Sequence, residues 1–336
     1  MCIGGDRVMS RNRKAPEMTG IFAETANDFV DYKRSLGFKY EGEPKCLARF
    51  CRFADGFGTD EIKITRSLAE AFTAPRENEA AKSRSHRLTC VRQFALYLDS
   101  LGYDAYILPE HKGLEHSSFV PYIFTHDEMK AVIRAADETE PQAVARDMHR
   151  SLPVIFRILY GCGLRVSEVL KLQYRDVNLD DGILTIRGAK TDRDRLIPLS
   201  DSVKAACVSY AENTWWEKDT DFFFPAPDRT MISPMTVYQR FRRYLMKAGI
   251  SHGGKGNGPR LHDIRHTFAV HVLQKWVAEG ADLTAMMPIL SAYMGHQCIR
   301  STARYLRLTA EVYPDLLKKV EAYSAYVIPE VKHERN

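Results

Sequence analysis

Residues 261–271 read "LHDIRHTFAVH", three histidines and an arginine within eleven positions. At about 100° per residue, Leu261, Ile264, Phe268, Val272 and Trp276 fall in one apolar stripe, so a helix facing a core is predicted. Arg265 lies roughly 40° from Leu261, inside the span of that stripe, and His262 sits on its margin one turn earlier. An arginine keeps its charge in a protein, so one set among core residues requires an anionic partner or water. The helix itself supplies neither. His262 and His266 at i,i+4 have a spacing that suits zinc, as in a metal hydrolase. The glutamate that such a motif needs is missing, however, and Arg265 between the histidines repels a cation. No metal is expected here.

The rest of the chain sets the bounds. Its 336 residues suffice for two domains and a sizeable core. Apolar residues at 45% and charged residues at 27% describe an ordinary globular protein, and a formal charge of +5 permits a polyanionic partner without demanding one. No apolar run approaches the ~18 residues of a membrane span. The opening "MCIGGDRVMSRNRK" lacks the apolar stretch of a signal peptide, so a cytoplasmic protein is expected. Cys2, Cys46, Cys51, Cys90, Cys162, Cys207 and Cys298 are odd in number and scattered, which argues against a disulfide framework or a cysteine-rich zinc site.

The first part reads as all-helical. Phe22, Phe29, Val30 and Leu36 suggest one amphipathic helix, "KCLARFCRFADGFG" a second closed by glycine, and Val91, Phe94, Ala95, Leu98 and Leu101 a third. Lys82, Arg84, Arg87 and Arg92 give this third helix a basic flank, read either as a solvated face or as a DNA contact. The stretch "ILPEHKGLEHSSFVPY" then breaks the periodicity as a linker does. At Thr125, "THDE" carries the signature of a capping box and opens a new helix. "LPVIFRILY" reads as a buried helix, followed by the turn "GCG" and the short helix "LRVSEVLKL". The period then changes, and "GILTIRG" and "RLIPLS" form a hairpin about the polar tip "AKTDRD". Helices resume with "SPMTVYQRFRRYLMKAG", where Ser233 caps, Pro234 takes the first turn and Gly249 stops the helix. Val237, Phe241, Leu245 and Ala248 form its apolar side, while Arg240, Arg243 and Lys247 lie together on another, suited to phosphates.

Several polar residues stand in apolar surroundings: Arg165 with Glu168 one turn later, Lys190 at the end of a strand, His262 with Arg265, His296, and Tyr305 nine residues on. Singly, each has an ordinary explanation: an i,i+3 ion pair, a solvated turn lysine, a hydrogen-bonded histidine, a packing tyrosine. Together they are the parts for attack on a phosphodiester without metal. Fixed arginine forks suit the non-bridging oxygens of the transition state. A phenol needs a base or a positive field to become a nucleophile, and the departing alkoxide needs a proton donor.

The motifs "YGCGLRVSEVLKL", "GAKTDRDRLIPLS", "LHDIRHTFAVH" and "YMGHQCIRSTARYLRL", in this order, resemble those of the tyrosine recombinases, the phage-integrase-type site-specific recombinases. The resemblance implies a mainly α fold with a small antiparallel β-sheet. It also implies a helical core-binding, DNA-binding domain at 19–108 after a flexible segment 1–18, a linker at 109–120, a catalytic domain at 121–320 and a tail at 321–336. By residue it implies that Arg165 and Arg265 bind the scissile phosphate and His262 assists proton transfer from the nucleophile or hydrogen-bonds the phosphate. Lys190 protonates the leaving 5′ hydroxyl, His296 donates to a non-bridging oxygen, and Tyr305 attacks phosphorus to leave a 3′-phosphotyrosyl link. Glu168 is a supporting partner that aims Arg165. Arg193 and Arg195 compete with Lys190 for the role of the hairpin cation. Lys190 is preferred because it follows the first strand and because lysine can give up a proton. Neither cofactor nor ATP is required, since the covalent link conserves the energy of the broken bond.

The expected partners are a double-stranded DNA recombination site and three further copies of the chain, a homo-tetramer on two duplexes, in a bacterial cytoplasm. Integration, excision or transposition of a mobile element is the expected role. A chromosome-dimer resolvase, a type IB topoisomerase-like relaxing enzyme and a DNA-binding protein without turnover are the alternatives. Tyr313, Leu317, Val320 and Tyr323 keep helical spacing beyond Tyr305, a helix that packs on its own catalytic domain or on a neighbouring copy.

Overall fold

A computed structural model describes residues 17–110, 120–141, 147–187, 194–254, 258–296, 298, 301–303 and 305–306. The hairpin tip with Lys190 and Arg193, and the helix expected after Tyr305, lie outside the described residues. The chain divides into two compact units, Met1–Phe119 and Val120–Asn336.

The first unit is helical, as read from the sequence. It comprises α1 (Ala23–Ser35), α2 (Glu43–Gly56), α3 (Arg66–Thr73) and α4 (Ala81–Ser100). Its core is aromatic, with Phe50 at ring-centroid distances of 5.6 Å from Phe22, 5.3 Å from Phe72 and 6.1 Å from Phe94. Val91, Phe94, Ala95 and Leu98 are buried along α4 as their spacing requires, whereas Leu36 and Leu101 lie just beyond their helices and are exposed. Helix α3 is an addition to the sequence reading. Its eight residues hold too few periodic positions to stand out, and Thr65 starts it by accepting from the Leu68 amide at 3.2 Å.

The basic flank of α4 requires a correction. Arg87 is only 2% exposed. Its guanidinium donates to the carbonyls of Phe72 and Ala74 at the end of α3 and forms a two-pronged ion pair with Glu79. Arg84, one turn earlier, donates to the Thr73 carbonyl at 3.1 Å, and Arg92 donates to the Leu108 carbonyl at 2.6 Å. The last carbonyls of a helix lack partners within it, and α4 supplies cations to them. Arg87 therefore fastens α3 to α4 and is not a DNA contact; Lys82 alone of the four stands fully exposed.

The second unit is mainly helical with one small sheet. Helix α5 (His126–Asp137) begins with the expected capping box: Thr125 Oγ1 accepts from the Glu128 amide at 3.1 Å, and Glu128 accepts from the Thr125 amide at 2.8 Å. Helix α6 (Met148–Gly161) buries Leu152, Ile155, Phe156, Ile158 and Leu159, and after the glycine turn comes the short α7 (Val166–Leu170). Strands β1 (Val177–Asn178), β2 (Ile183–Ile186) and β3 (Arg195–Pro198) form an antiparallel sheet in that order, with Leu184 opposite Ile197 and Ile186 opposite Arg195. Two of the three strands are the expected hairpin. Helix α8 (Asp201–Glu212), unforeseen in the sequence, buries a narrow stripe of Val203, Cys207 and Tyr210.

Helix α9 (Pro234–Lys247) is capped by Ser233, whose Oγ accepts from the Met235 amide, and is closed at Gly249 with φ of +71°. Helix α10 (Asp263–Ala278) holds the opening stretch, and α11 (Leu283–Met294) ends at Gly295 in the left-handed conformation. The buried surface of α10 is wider than one stripe. Ile264 enters the main core, while Ala269, Val270 and Leu273 join Met287, Leu290, Met294 and Tyr305 in a second cluster. Phe268, Val272 and Trp276 pack on that cluster only partly buried. With apolar packing on two sides, α10 fixes the side chains at its start. No helix among the described residues is long and apolar enough to cross a membrane.

Candidate active site

Gly163 ends the turn before α7 with φ of +59°, a backbone conformation that glycine reaches without strain. A Cβ there would stand 2.2 Å from the Phe268 ring on α10, so the turn lies flat against that helix. This close approach lets the Gly163 carbonyl accept from Arg265 Nη1 at 2.7 Å. Two residues later Arg165 occupies the N-cap of α7, where its amide donates to Glu168 Oε2 at 2.9 Å and its guanidinium to Glu168 Oε1 at 2.7 Å. Arg165 also reaches the Gly295 carbonyl at 3.4 Å. The two arginines expected to hold a phosphate are thus tied to one turn and to the end of α11.

Glu168 is their common counter-ion. Only 8% exposed, it also receives Arg195 Nη2 at 2.9 Å and lies 3.9 Å from Arg265 Nη1. Burial works to raise its pKa, but the bonds from Arg195 and Arg165 prevail and hold the carboxyl below its ordinary range. Arg195 comes from β3, donates to the Tyr293 carbonyl at 3.0 Å, and has one nitrogen, Nη1, buried without a hydrogen-bond partner among the described residues. Arg265 is 2% exposed and donates to the carbonyls of Gly163 and Met294. Burial first, and then Arg165, lowers its pKa to about 10.

Three guanidiniums surrounding one carboxylate leave the site positive, and the histidines register it. His262, at the N-cap of α10, keeps an open edge to solvent. The protein packed around the rest of its ring, and then Arg265 and Arg165, push its pKa down to about 4. Burial and the same two arginines push His296 down to about 4 as well. His296 holds Thr302 Oγ1 at 2.7 Å through Nδ1, and Arg265 Nη2 stands 3.3 Å from its Nε2. An anion in this field is attracted by all three arginines and raises both histidines.

Tyr305 is 3% exposed, its ring centroid 6.0 Å from that of His296 and 5.4 Å from that of His266. Its hydroxyl lies 3.0 Å from His266 Nδ1. Sequence gives His266 no role beyond the rejected i,i+4 zinc pair, because nothing local shows which residue 39 positions away meets its ring. Arg195 enters the sequence analysis only as a competitor of Lys190, and its role shows once β3 pairs it with Ile186 and brings it to Glu168. The site thus brings together Arg165, Glu168, Arg265, His296 and Tyr305, with His262 at its edge. On α9, Arg243 and Lys247 are exposed and Arg240 half-buried, beside an open depression of about 770 Å³ lined by Gln239, Arg242, Arg243, Met246 and His252. Lys247 stands 3.8 Å from Glu138, a weak surface pair.

Residues 123–311 match the model of the phage integrase family. The Sinorhizobium fredii protein y4rB, named an integrase/recombinase, is 28% identical over 310 residues, covering 89% of this chain and 97% of its own. Tyrosine recombinase XerA of Pyrococcus furiosus is 32% identical over 195 residues, 57% of this chain and 59% of its own. Among solved structures, the XerH site-specific recombinase bound to difH substrate aligns with a TM-score of 0.59 at 17% identity, over 83% of this chain and 79% of that one. A lambda integrase dimer bound to a COC′ core site aligns at 0.58 with 18% identity, over 82% and 95%. At these identities the two structures speak for the fold.

Proposed function

The chain belongs to the phage integrase family, and from that premise we propose that it is a site-specific DNA recombinase acting through a covalent tyrosyl intermediate, in the service of a mobile element. It is a tyrosine recombinase, an enzyme that breaks and rejoins DNA. The observation that carries the residue assignments is the joining of Arg165 and Arg265 through Glu168 and the Gly163 carbonyl, in a positive pocket that also holds His296 and Tyr305.

In this reading Arg165 and Arg265 take the non-bridging oxygens of the scissile phosphate, each worth about 3 kcal/mol in the transition state by analogy with other fixed donors. His262 and His296, whose pKa values burial and the arginines lower to about 4, donate hydrogen bonds to the phosphate. Tyr305 attacks phosphorus and keeps the 3′ phosphate, while Lys190 on the hairpin tip protonates the leaving 5′ oxygen. No metal or ATP enters, because rejoining reverses the same transfer. The first unit would act as a core-binding domain with Lys82 on phosphate, and in the second unit the Arg240, Arg243 and Lys247 side of α9 would also meet phosphates. Four copies would assemble on two duplexes. Integration or excision is favoured over chromosome-dimer resolution because the two relatives named integrase/recombinase match over 85% and 89% of the chain, whereas the XerA relatives match over 57% to 77%.

The test uses nicked suicide duplexes taken from DNA flanking the gene. Wild type is expected to form a covalent adduct that survives denaturation, and Tyr305→Phe to form none while still binding. An adduct with Tyr305→Phe, or none with wild type, contradicts the reading.

A further inference from the structure

We propose that His266 is the group that takes the proton from the attacking hydroxyl of Tyr305, a catalytic residue that the family resemblance did not assign. The inference rests on Tyr305 being the nucleophile. Its ground is geometric. His266 Nδ1 lies 3.0 Å from Tyr305 Oη, within the reach a general base requires. Tyr305 is nearly enclosed, so its proton has no broad path to bulk water, whereas the His266 ring is half-buried and borders solvent. The phenol and imidazole rings lie 5.4 Å apart at a tilt of 53°, and the His296 ring stacks on the phenol at 6.0 Å. Helix α10 is held by two apolar clusters, so His266 stands on a rigid element.

His262 is less suited to this role. It sits beside Arg265 and Arg165, which penalise any gained proton and fit it to remain a neutral donor to phosphate. Its ring meets His266 edge to face at 4.7 Å, so a proton accepted by His266 resides one ring farther along the helix. The titratable rings against His266 include those of His262 and Tyr305; His296 in turn lies against Tyr305, and the charged Arg265 precedes His266 on α10.

The step balances without a co-reactant. As Oη bonds to phosphorus and the bond from phosphorus to the 5′ oxygen breaks, the phenolic proton passes to Nδ1 of neutral His266, which becomes imidazolium. The 5′ oxygen takes its own proton from a separate donor, assigned above to Lys190. In rejoining, the 5′ hydroxyl attacks the phosphotyrosine and His266 returns its proton to Oη.

The experiment measures single-turnover cleavage of the nicked suicide duplex at saturating protein for wild type, His266→Ala, His266→Asn and Tyr305→Phe. DNA binding and thermal unfolding serve as folding controls. Asparagine can hold the phenol by a hydrogen bond but cannot accept its proton. Both His266 variants are expected to bind DNA as wild type does and to cleave about 100-fold or more slowly, the span of general base catalysis. The rate rise through histidine ionisation expected for wild type should vanish in both and move toward the phenol range near pH 10. Full activity in His266→Asn, or a slowed rate with an unchanged pH profile, reduces His266 to a holder and overturns the inference. Cleavage by Tyr305→Phe overturns the assignment of the nucleophile instead, so the two failures are told apart.

Discussion

Glu168 is one carboxylate among three guanidiniums, and the site depends on that imbalance. Removing its charge leaves Arg195 buried without compensation and frees Arg165 to swing. Glu168→Gln should therefore cost about 3 kcal/mol of stability, as breaking a buried ion pair does. It should also slow cleavage more than it weakens DNA binding, read by urea unfolding and single-turnover assays; an unchanged unfolding midpoint would count against the role. Because the folded carboxyl titrates below its ordinary value, its contribution is present above about pH 4.5 and is lost as pH falls through the lower folded pKa. At this scale the sequence was informative where angle alone decides. Arg265 falls within the apolar span of its helix and is buried. It was uninformative where the partner is remote. A buried Arg87 cannot be told from a solvated basic flank until the carbonyls of α3 are seen to meet it, and His266 takes its meaning only from Tyr305.

The element that sets the site is the turn before α7. Gly163 combines a positive φ with contact against Phe268, so Gly163→Ala meets both backbone strain and a clash. A loss of about 1–3 kcal/mol is expected from the backbone alone. Cleavage should fall as well, because the carbonyl that holds Arg265 moves with the turn. Pairing it with Phe268→Ala should recover part of the loss if the clash contributes, a coupling that a double-mutant cycle measures. Strict additivity would show that the ring contact is irrelevant. Long or well-capped elements such as α5, α9 and α10 were legible from periodicity and caps. The eight-residue α3, the two-residue β1 and the narrow stripe of α8 were not, since each depends on tertiary packing more than on its own pattern.

Over the whole molecule, His262, His271 and His296 titrate near 4 in the fold, against about 6.5 for a free histidine. Between these values the unfolded chain binds more protons, so stability is full above about pH 6.5 and falls as pH descends toward 4. The melting temperature should decline through that window; a constant value from pH 7 to 4.5 would contradict it. DNA reverses the field at two of these histidines and raises them, so binding near pH 5 to 6 should take up protons and give buffer-dependent heats. The central claim is chemical, and one measurement reaches it most directly. Wild-type protein is trapped on a nicked duplex and digested, and the peptide carrying the nucleotide is sequenced by mass spectrometry. The DNA is expected on Tyr305 through its 3′ phosphate; attachment to another residue, or through a 5′ phosphate, would contradict the account.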